Sequence, residues 1–170
     1  MVGIHHTGFT VTDLERTVAF YENVVGMRLV GRKHRRAPDL GTALMGPGEI
    51  PAPRAGERVG ARPLTAEPMP AEILIADMAL GAARVEFIQY MEPPVTPYAG
   101  DPSVAGSAHI AILTDDIEAE RLRLERAGVV FHTEVRTVHD PGKAPWKWCY
   151  FRDPDGICVE LVQSGDTAGG

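Results

Sequence analysis

Residues 6–15 read HTGFTVTDLE, and residues 109–118 read HIAILTDDIE. Each stretch opens with a histidine, continues through small and apolar residues, and then passes an acidic turn into a segment with helical spacing. A shift of 103 positions superposes the two stretches. Because internal similarity of this kind marks a repeated structural unit, the sequence predicts that one module occurs twice in the chain.

The closing strands of the two modules also match, because residues 85–89 read VEFIQ and residues 159–163 read VELVQ. Between the matched segments, alternation of apolar and polar residues predicts strands, and spacings of three and four predict helices. For the first module we predict a helix from Asp13 to Gly26 and strands at 4–11, 27–34, 71–79 and 83–90. For the second module we predict a helix at 116–127 closed by Gly128, and strands at 107–114, 129–137, 146–151 and 157–163.

The order of elements in each module is a strand, a helix and three further strands, which predicts an α+β fold built from paired βαβββ modules. We expect one domain over residues 1–170, with a first module at 1–92 and a second at 105–165. The first module has 29 more residues between its matched segments, and residues 37–70 contain seven of the fourteen prolines. Residues 37–70 are therefore predicted to be an inserted loop, either overhanging a functional site or forming a mobile surface excursion.

Size and composition restrict the class of protein. The chain has 170 residues, 44% of them hydrophobic and 24% charged, and a net charge of −6. It lacks an apolar run of about 18 residues that would span a bilayer, and its first residues do not resemble a secretory signal. We therefore expect a cytoplasmic protein that binds neither membranes nor nucleic acid. Residues 32–36 form a basic run, which is more typical of a solvated strand end; binding of an anionic substrate is the alternative.

Several other side chains have a simple structural interpretation. Cys149 and Cys158 do not form a C-x-x-C pair and are expected to be small core residues. The rings of Trp146, Trp148 and Tyr150 share one strand face, and such a stripe is more often core or interface than a substrate platform. No role is assigned to the histidines outside the repeat-matched positions, which are His34, His132 and His139.

Four polar side chains occupy strand positions where a packed strand would be apolar. His6 and His109 lie in the first strand of their modules, and Glu86 and Glu160 lie in the last. Alternation turns both histidines away from the helix side of their strands. A carboxylate flanked by apolar residues is costly to bury alone, and nitrogen and oxygen donors suit a divalent ion such as zinc, nickel, cobalt, iron or manganese. The four residues are therefore predicted to bind a metal ion.

These segments together resemble the vicinal oxygen chelate superfamily, which includes glyoxalase I, methylmalonyl-CoA epimerase, extradiol dioxygenases, fosfomycin-modifying enzymes and bleomycin-binding proteins. The resemblance is carried by residues 6–15, 20–21, 26–27, 85–87, 108–111 and the turn DPDG at 153–156 that leads to Glu160. It implies that the paired modules form an open, trough-like mixed β-sheet with flanking helices. It also implies one divalent metal ion, held by His6, Glu86, His109 and Glu160.

His5 is the rival to His6 as a ligand, but strand alternation places His5 on the same face as Phe9. The ligand order His, Glu, His, Glu is similar to that of bacterial glyoxalase I. It implies an isomerase, epimerase or lyase that acts on a carbonyl compound by metal-stabilised enolate chemistry, with Glu86 or Glu160 as the general base. Bacterial glyoxalase I enzymes commonly carry an arginine where this chain has Thr10, so a glutathione thioester is a less expected substrate.

Two alternative functions stay open for the sequence. The first is an Fe(II)-dependent dioxygenase of the same fold, in which Glu86 does not bind the metal. The second is a protein that binds a small drug-like molecule, as the bleomycin-resistance relatives do. In each case we expect a small-molecule ligand and a homodimer, and we expect specificity to depend on residues 37–70 and 91–105.

Overall fold

The computed structural model describes residues 2–37, 71–92, 94–95 and 107–165. Of the predicted loop at 37–70, only Ala37 is described, and most of the segment 91–105 also lies outside the described residues. The described part of the chain forms two compact units. The first contains residues up to 14 and from 30 to 95, and the second contains residues 15–29 and 107–165. No helix among the described residues is long and apolar enough to cross a membrane.

The sheet of the first unit has four strands in the spatial order β1-β4-β3-β2. Strand β1 runs parallel to β4, and β3 runs antiparallel to β4. The register of the parallel pair sets Thr7 opposite Val85 and Gly8 opposite Glu86. The strands are β1 (Thr7–Thr10), β2 (Arg28–Ala37), β3 (Ala71–Leu80) and β4 (Ala83–Glu92).

The sheet of the second unit repeats this arrangement, with the order β5-β8-β7-β6 and a parallel β5-β8 pair. Its elements are β5 (His109–Leu113), helix α2 (Ile117–Arg126), β6 (Arg136–Val138), β7 (Trp146–Arg152) and β8 (Cys158–Gln163). Because both sheets have the same strand order and both pair their first and last strands in parallel, the predicted α+β class and the internal repeat are confirmed.

The core of the second unit lies between α2 and the inner face of its sheet. Cys149 is fully buried in this cluster, as expected for a small core residue, and burial raises the pKa of its thiol to about 11. Cys158 differs, because it is only half-buried and lies on the other face of the sheet. The buried cluster consists of Ile117, Leu124, Val129, Cys149, Phe151, Val159 and Leu161.

Helix α1 (Leu14–Phe20) begins where predicted but continues as a wide π-helical turn over Tyr21–Val25. Gly26 ends this turn with a φ of 90°, which favours glycine. Phe20 at the end of α1 and Val24 within the π turn pack against the core cluster of the second unit. Residues 15–29 therefore belong to the second compact unit, although the repeat assigns this helix to the first module at 1–92.

The DPDG turn holds α1 in this position. The Tyr21 hydroxyl donates a hydrogen bond of 3.1 Å to Asp153, and both Arg16 and Thr17 donate to Asp155, at 3.0 and 3.2 Å. The side chains of Tyr21 and Thr17 are fully buried. The DPDG turn therefore binds the first helix as well as connecting β7 and β8.

Matching glutamines secure the first turns of the two helices. Gln89 at the end of β4 accepts a hydrogen bond of 2.8 Å from the backbone N–H of Leu14, and Gln163 at the end of β8 accepts one of 3.0 Å from Ile117. Asp116 adds a conventional N-cap by accepting from the N–H of Ala119. Free N–H groups at a helix start need hydrogen-bond acceptors, and each glutamine supplies one. In both modules this glutamine follows the predicted glutamate ligand by three residues.

Two predicted strands are shorter in the structure. The first begins at Thr7 rather than at residue 4, because the pairing with β4 begins with Thr7 opposite Val85. The strand predicted at 129–137 covers only Arg136–Val138, preceded by an isolated bridge between Phe131 and Phe151. The Thr133 hydroxyl accepts the N–H of Tyr150 at 2.7 Å, in place of a backbone carbonyl, and so interrupts the ladder.

Replacing the capping glutamine should destabilise the protein. We expect Gln163→Ala to lower the free energy of unfolding by about 1–2 kcal/mol, because the Ile117 N–H loses its acceptor in a partly buried position. Gln163→Glu retains an acceptor oxygen and adds negative charge at the helix start, and should be close to wild type. Urea unfolding followed by circular dichroism measures both variants. Equal loss in the two would contradict a role for the hydrogen bond.

The buried Asp153 should make stability depend on pH. Burial raises the pKa of this carboxyl above its ordinary value, so the folded state favours the protonated form. The contribution of this group is full below the ordinary pKa of aspartate, about 4, and is lost as the pH rises through the raised pKa. Relative to Asp153→Asn, the unfolding free energy of the wild type should therefore fall between pH 4 and pH 7. A difference that stays constant across this range would refute the assignment.

Candidate functional site

The first unit brings together His6 and Glu86. Glu86 lies on β4, and its Oε1 is 3.6 Å from Nε2 of His6, which immediately precedes β1. His5 contacts His6 instead, with 2.8 Å between their Nδ1 atoms. Both histidines precede the strand, so alternation does not separate them, but the position of Glu86 supports His6 over His5 as the site residue.

Lys33 on β2 is a site residue that the sequence did not single out. Its ammonium nitrogen is 2.7 Å from Oδ2 of Asp77 and 3.5 Å from Oε2 of Glu86. The hydrogen bond to Asp77 is the main reason that the pKa of Lys33 is raised, so this side chain stays protonated. The sequence feature that could have indicated this contact is Asp77, a carboxylate inside an otherwise apolar strand. In the structure Asp77 lies directly opposite Glu86.

The rest of the basic run lies elsewhere. His34 is 2.8 Å from Glu72, and Arg36 is 3.7 Å from the same carboxylate. Alternation along β2 thus sends His34 and Arg36 to one partner and Lys33 to another. Lys33, His34 and Arg36 therefore do not form a single anion-binding patch.

The second unit brings together His109 and Glu160. Nε2 of His109 is 3.2 Å from Oε2 of Glu160. Glu160 is 7% exposed, and the Tyr150 hydroxyl donates to its carboxylate from the neighbouring strand. Burial, and then the charge and hydrogen bond of Glu160, raise the pKa of Tyr150 to about 12. The phenol is therefore a fixed proton donor to Glu160 at neutral pH.

The two His–Glu pairs occupy equivalent places in their sheets. Asp77 lies directly opposite Glu86 across β3 and β4, and Tyr150 lies directly opposite Glu160 across β7 and β8. The equivalent position of the two units is therefore occupied by a carboxylate in the first and by a phenol in the second. As a result, the first pair adjoins a polar ion-pair network and the second adjoins aromatic rings.

Each pair has the donor atoms and the spacing that a shared metal ion requires. Nitrogen and oxygen ligands at about 2.0–2.2 Å from one ion lie roughly 3.0–3.5 Å from each other at common coordination angles. The observed separations of 3.2 and 3.6 Å are close to that range. No three His, Cys, Asp or Glu side chains among the described residues lie together as a metal-binding group. The structure thus brings the predicted ligands together as two pairs, and the four-ligand centre stays a prediction.

An open pocket of about 370 Å³ adjoins the second pair. Tyr150 contributes to its wall, with its ring stacked on His132 and edge-on to His109. The aromatic stripe was expected to be core or interface, but Tyr150 lines the pocket. The lining residues are Ser107, Ala108, His109, His132, Tyr150, Arg152 and Cys158.

The comparison with protein families identifies the superfamily of the chain. A model of the glyoxalase, bleomycin resistance protein and dioxygenase superfamily matches residues 3–161. The chain belongs to this superfamily. The superfamily contains enzymes such as glyoxalases and epimerases, and its members commonly bind a divalent metal ion.

Individual relatives of this superfamily member are distant. The chain is 29% identical over 164 residues to a 2-epi-5-epi-valiolone epimerase of Actinomyces sp, a match that covers 95% of this chain and 79% of the relative. It is 27% identical to the uncharacterized protein YwbC of Bacillus subtilis, covering 94% and 96% of the two chains. A glyoxalase family protein from Bacillus cereus matches in structure with a TM-score of 0.68 at 20% identity, covering 96% and 95%. The solved structure supports the fold.

The pKa of His132 should depend in part on the charge of Arg152. Loss of water around the His132 ring, and then the positive charge of Arg152, lower the pKa of this imidazole. Arg152→Gln should raise the pKa of His132, because the neighbouring positive charge no longer opposes protonation. The exposed Arg126, at the end of α2, provides a control variant, Arg126→Gln, that should leave this pKa unchanged. Proton NMR of the His132 ring across pH measures both, and an unaltered pKa in Arg152→Gln would contradict the described geometry.

Proposed function

We propose that this chain is a divalent-metal-dependent enzyme that moves a proton at the carbon next to a carbonyl group, and so acts as an epimerase, isomerase or lyase. The observation that carries the proposal is the His–Glu pair at equivalent positions of both sheets, with separations of 3.6 and 3.2 Å. Similarity to a relative named as an epimerase supports the same class. The metal ligands that we assign are His6, Glu86, His109 and Glu160.

Glu160 is the carboxylate best suited to hold the ion. It is nearly buried, and among the described residues its only basic neighbour within 4 Å is His109. A buried carboxylate without a permanent cation is unfavourable, and a bound divalent ion would offset that cost. Tyr150 fixes the orientation of Glu160 through its hydrogen bond. When bound, the ion supplies positive charge that polarises a substrate carbonyl and stabilises negative charge developing on its oxygen.

Glu86 is the carboxylate that we assign to proton transfer. It already has a permanent cation in Lys33, so it depends less than Glu160 on a metal ion for charge compensation. The Lys33 ammonium, itself held by Asp77, fixes the Oε2 side of Glu86. A carboxylate held in this way can accept a proton from a substrate carbon placed within hydrogen-bond reach and return it.

The remaining features of the proposal come from the sequence. The substrate is a small molecule that carries a carbonyl group, and the ion is zinc, nickel, cobalt, manganese or iron. The protein is proposed to be a homodimer. The four assigned metal ligands all lie among the described residues.

Measurements of metal content should distinguish the proposed roles of Glu86 and Glu160. Purified wild type should contain about one divalent ion per chain, measured by inductively coupled plasma mass spectrometry. Glu160→Gln should lose the ion, with a fall in affinity larger than the about 10- to 100-fold typical for loss of an outer-shell partner. Glu86→Gln should retain more metal than Glu160→Gln. It should no longer catalyse the exchange of deuterium from D₂O into hydroxyketones, a reaction that NMR follows. Glu72→Gln removes a carboxylate that pairs with His34 rather than with either predicted histidine ligand; it serves as the control and should match wild type.

Two outcomes would replace this proposal. Iron that remains bound in Glu86→Ala, together with oxygen consumption, would favour the dioxygenase alternative. A protein that binds no divalent ion even after reconstitution would favour a role in binding a small molecule without turnover.

A further inference from the structure

The pocket beside His109 contains a positive charge in a chain whose net charge is −6. Arg152, the last residue of β7, lines this pocket. One of its amino groups donates a hydrogen bond of 2.7 Å to the backbone oxygen of Gly156. Within the described part of the chain, no carboxylate forms an ion pair with Arg152. An arginine has five N–H donors, so most donors of this guanidinium are available to a ligand.

The side chains around Arg152 are suited to an oxygen-rich anion. Arg152 and Tyr150 are two residues apart on β7 and therefore lie on the same sheet face, and Arg152 pairs across the ladder with Cys158. His132 stacks on Tyr150 and adds a neutral imidazole with one N–H donor. The hydrogen bond to Gly156 fixes the guanidinium before a ligand arrives, which lowers the entropic cost of binding.

We infer that this pocket binds a carboxylate or phosphate group of the substrate, with Arg152 as the principal binding residue and His132 as a second donor. Arginine is particularly suited to this role because its planar N–H donors match two oxygens of either anion. The pocket, about 370 Å³, is within the range of small-molecule sites and would hold such a group with a few attached atoms.

Binding of an anion at Arg152 does not depend on the proposed function. The identification of that anion as part of the substrate does rest on it, because His109, a proposed metal ligand, lines the same pocket. A substrate anchored at Arg152 would extend from there to the His109–Glu160 pair, so that the carbonyl group and the anionic group are close neighbours in one small molecule. The substrate class is thus an anionic hydroxy or keto compound. Of the basic run at 32–36, Lys33, His34 and Arg36 each pair with a carboxylate of their own unit.

Binding of inorganic phosphate and of acetate to the metal-free protein tests the pocket separately from the reaction. Metal is first removed with EDTA, the EDTA is removed by dialysis, and each probe is then titrated at constant ionic strength with isothermal titration calorimetry and with NMR of the His132 ring. We expect saturable binding to wild type, accompanied by a shift of the His132 signals. Arg152→Gln should weaken binding by about 10- to 100-fold, as expected when a charge-assisted hydrogen bond is lost. The probe that binds more tightly distinguishes phosphate from carboxylate.

Arg126→Gln removes the same charge from the exposed end of α2 and should bind as wild type. Equal weakening in Arg126→Gln and Arg152→Gln would show diffuse electrostatics and overturn the inference, as would binding unaffected by Arg152→Gln or no binding of either probe. His132→Ala provides a second variant if Arg152→Gln unfolds, and it should weaken binding by a smaller factor because Arg152 remains. Since metal is absent throughout, these results do not depend on whether the proposed reaction occurs.

Discussion

Parallel pairing of the first and last strands of each unit is the constraint on which the site depends. In the first unit the pairing starts with Thr7 opposite Val85, and in the second with His109 opposite Cys158. It joins segments that lie far apart along the chain and places a histidine beside a glutamate in both sheets. The glutamine that secures the following helix lies on the same closing strand. Strand register therefore fixes the site residues and the helix start together.

The two sheets compensate their glutamates by different physical means. In the first unit, the Lys33 ammonium and Asp77 surround Glu86 with charges of both signs. In the second, Glu160 has the Tyr150 hydroxyl and His109, and no permanent cation within 4 Å in the described residues. A duplicated backbone has thus acquired two unequal environments. That inequality is the physical basis for proposing that Glu160 holds the metal ion more strongly and that Glu86 transfers the proton.

The second sheet carries the pocket on one face and packs against the first helical segment on the other. Phe20 and Val24, which belong to the first helical segment, pack into its core, and Asp153 and Asp155 accept hydrogen bonds from that helix. Phe151 packs inward while Tyr150 and Arg152, its neighbours on β7, point to the pocket. A single strand therefore links the packing of the core to the charge and shape of the pocket.

The sequence by itself determined the repeat, the α+β class, most element boundaries and the four residues of the His–Glu pairs, because these follow from local periodicity and from matched segments. The tertiary structure decided what no local pattern contains. Pairing of distant strands placed Lys33 and Asp77 at Glu86, and the Thr133 hydroxyl shortened β6 by replacing a backbone acceptor. His132 and Arg152 became pocket residues through their contacts with Tyr150 and Gly156. Such neighbours depend on register across the sheet, which the composition of a single strand does not specify.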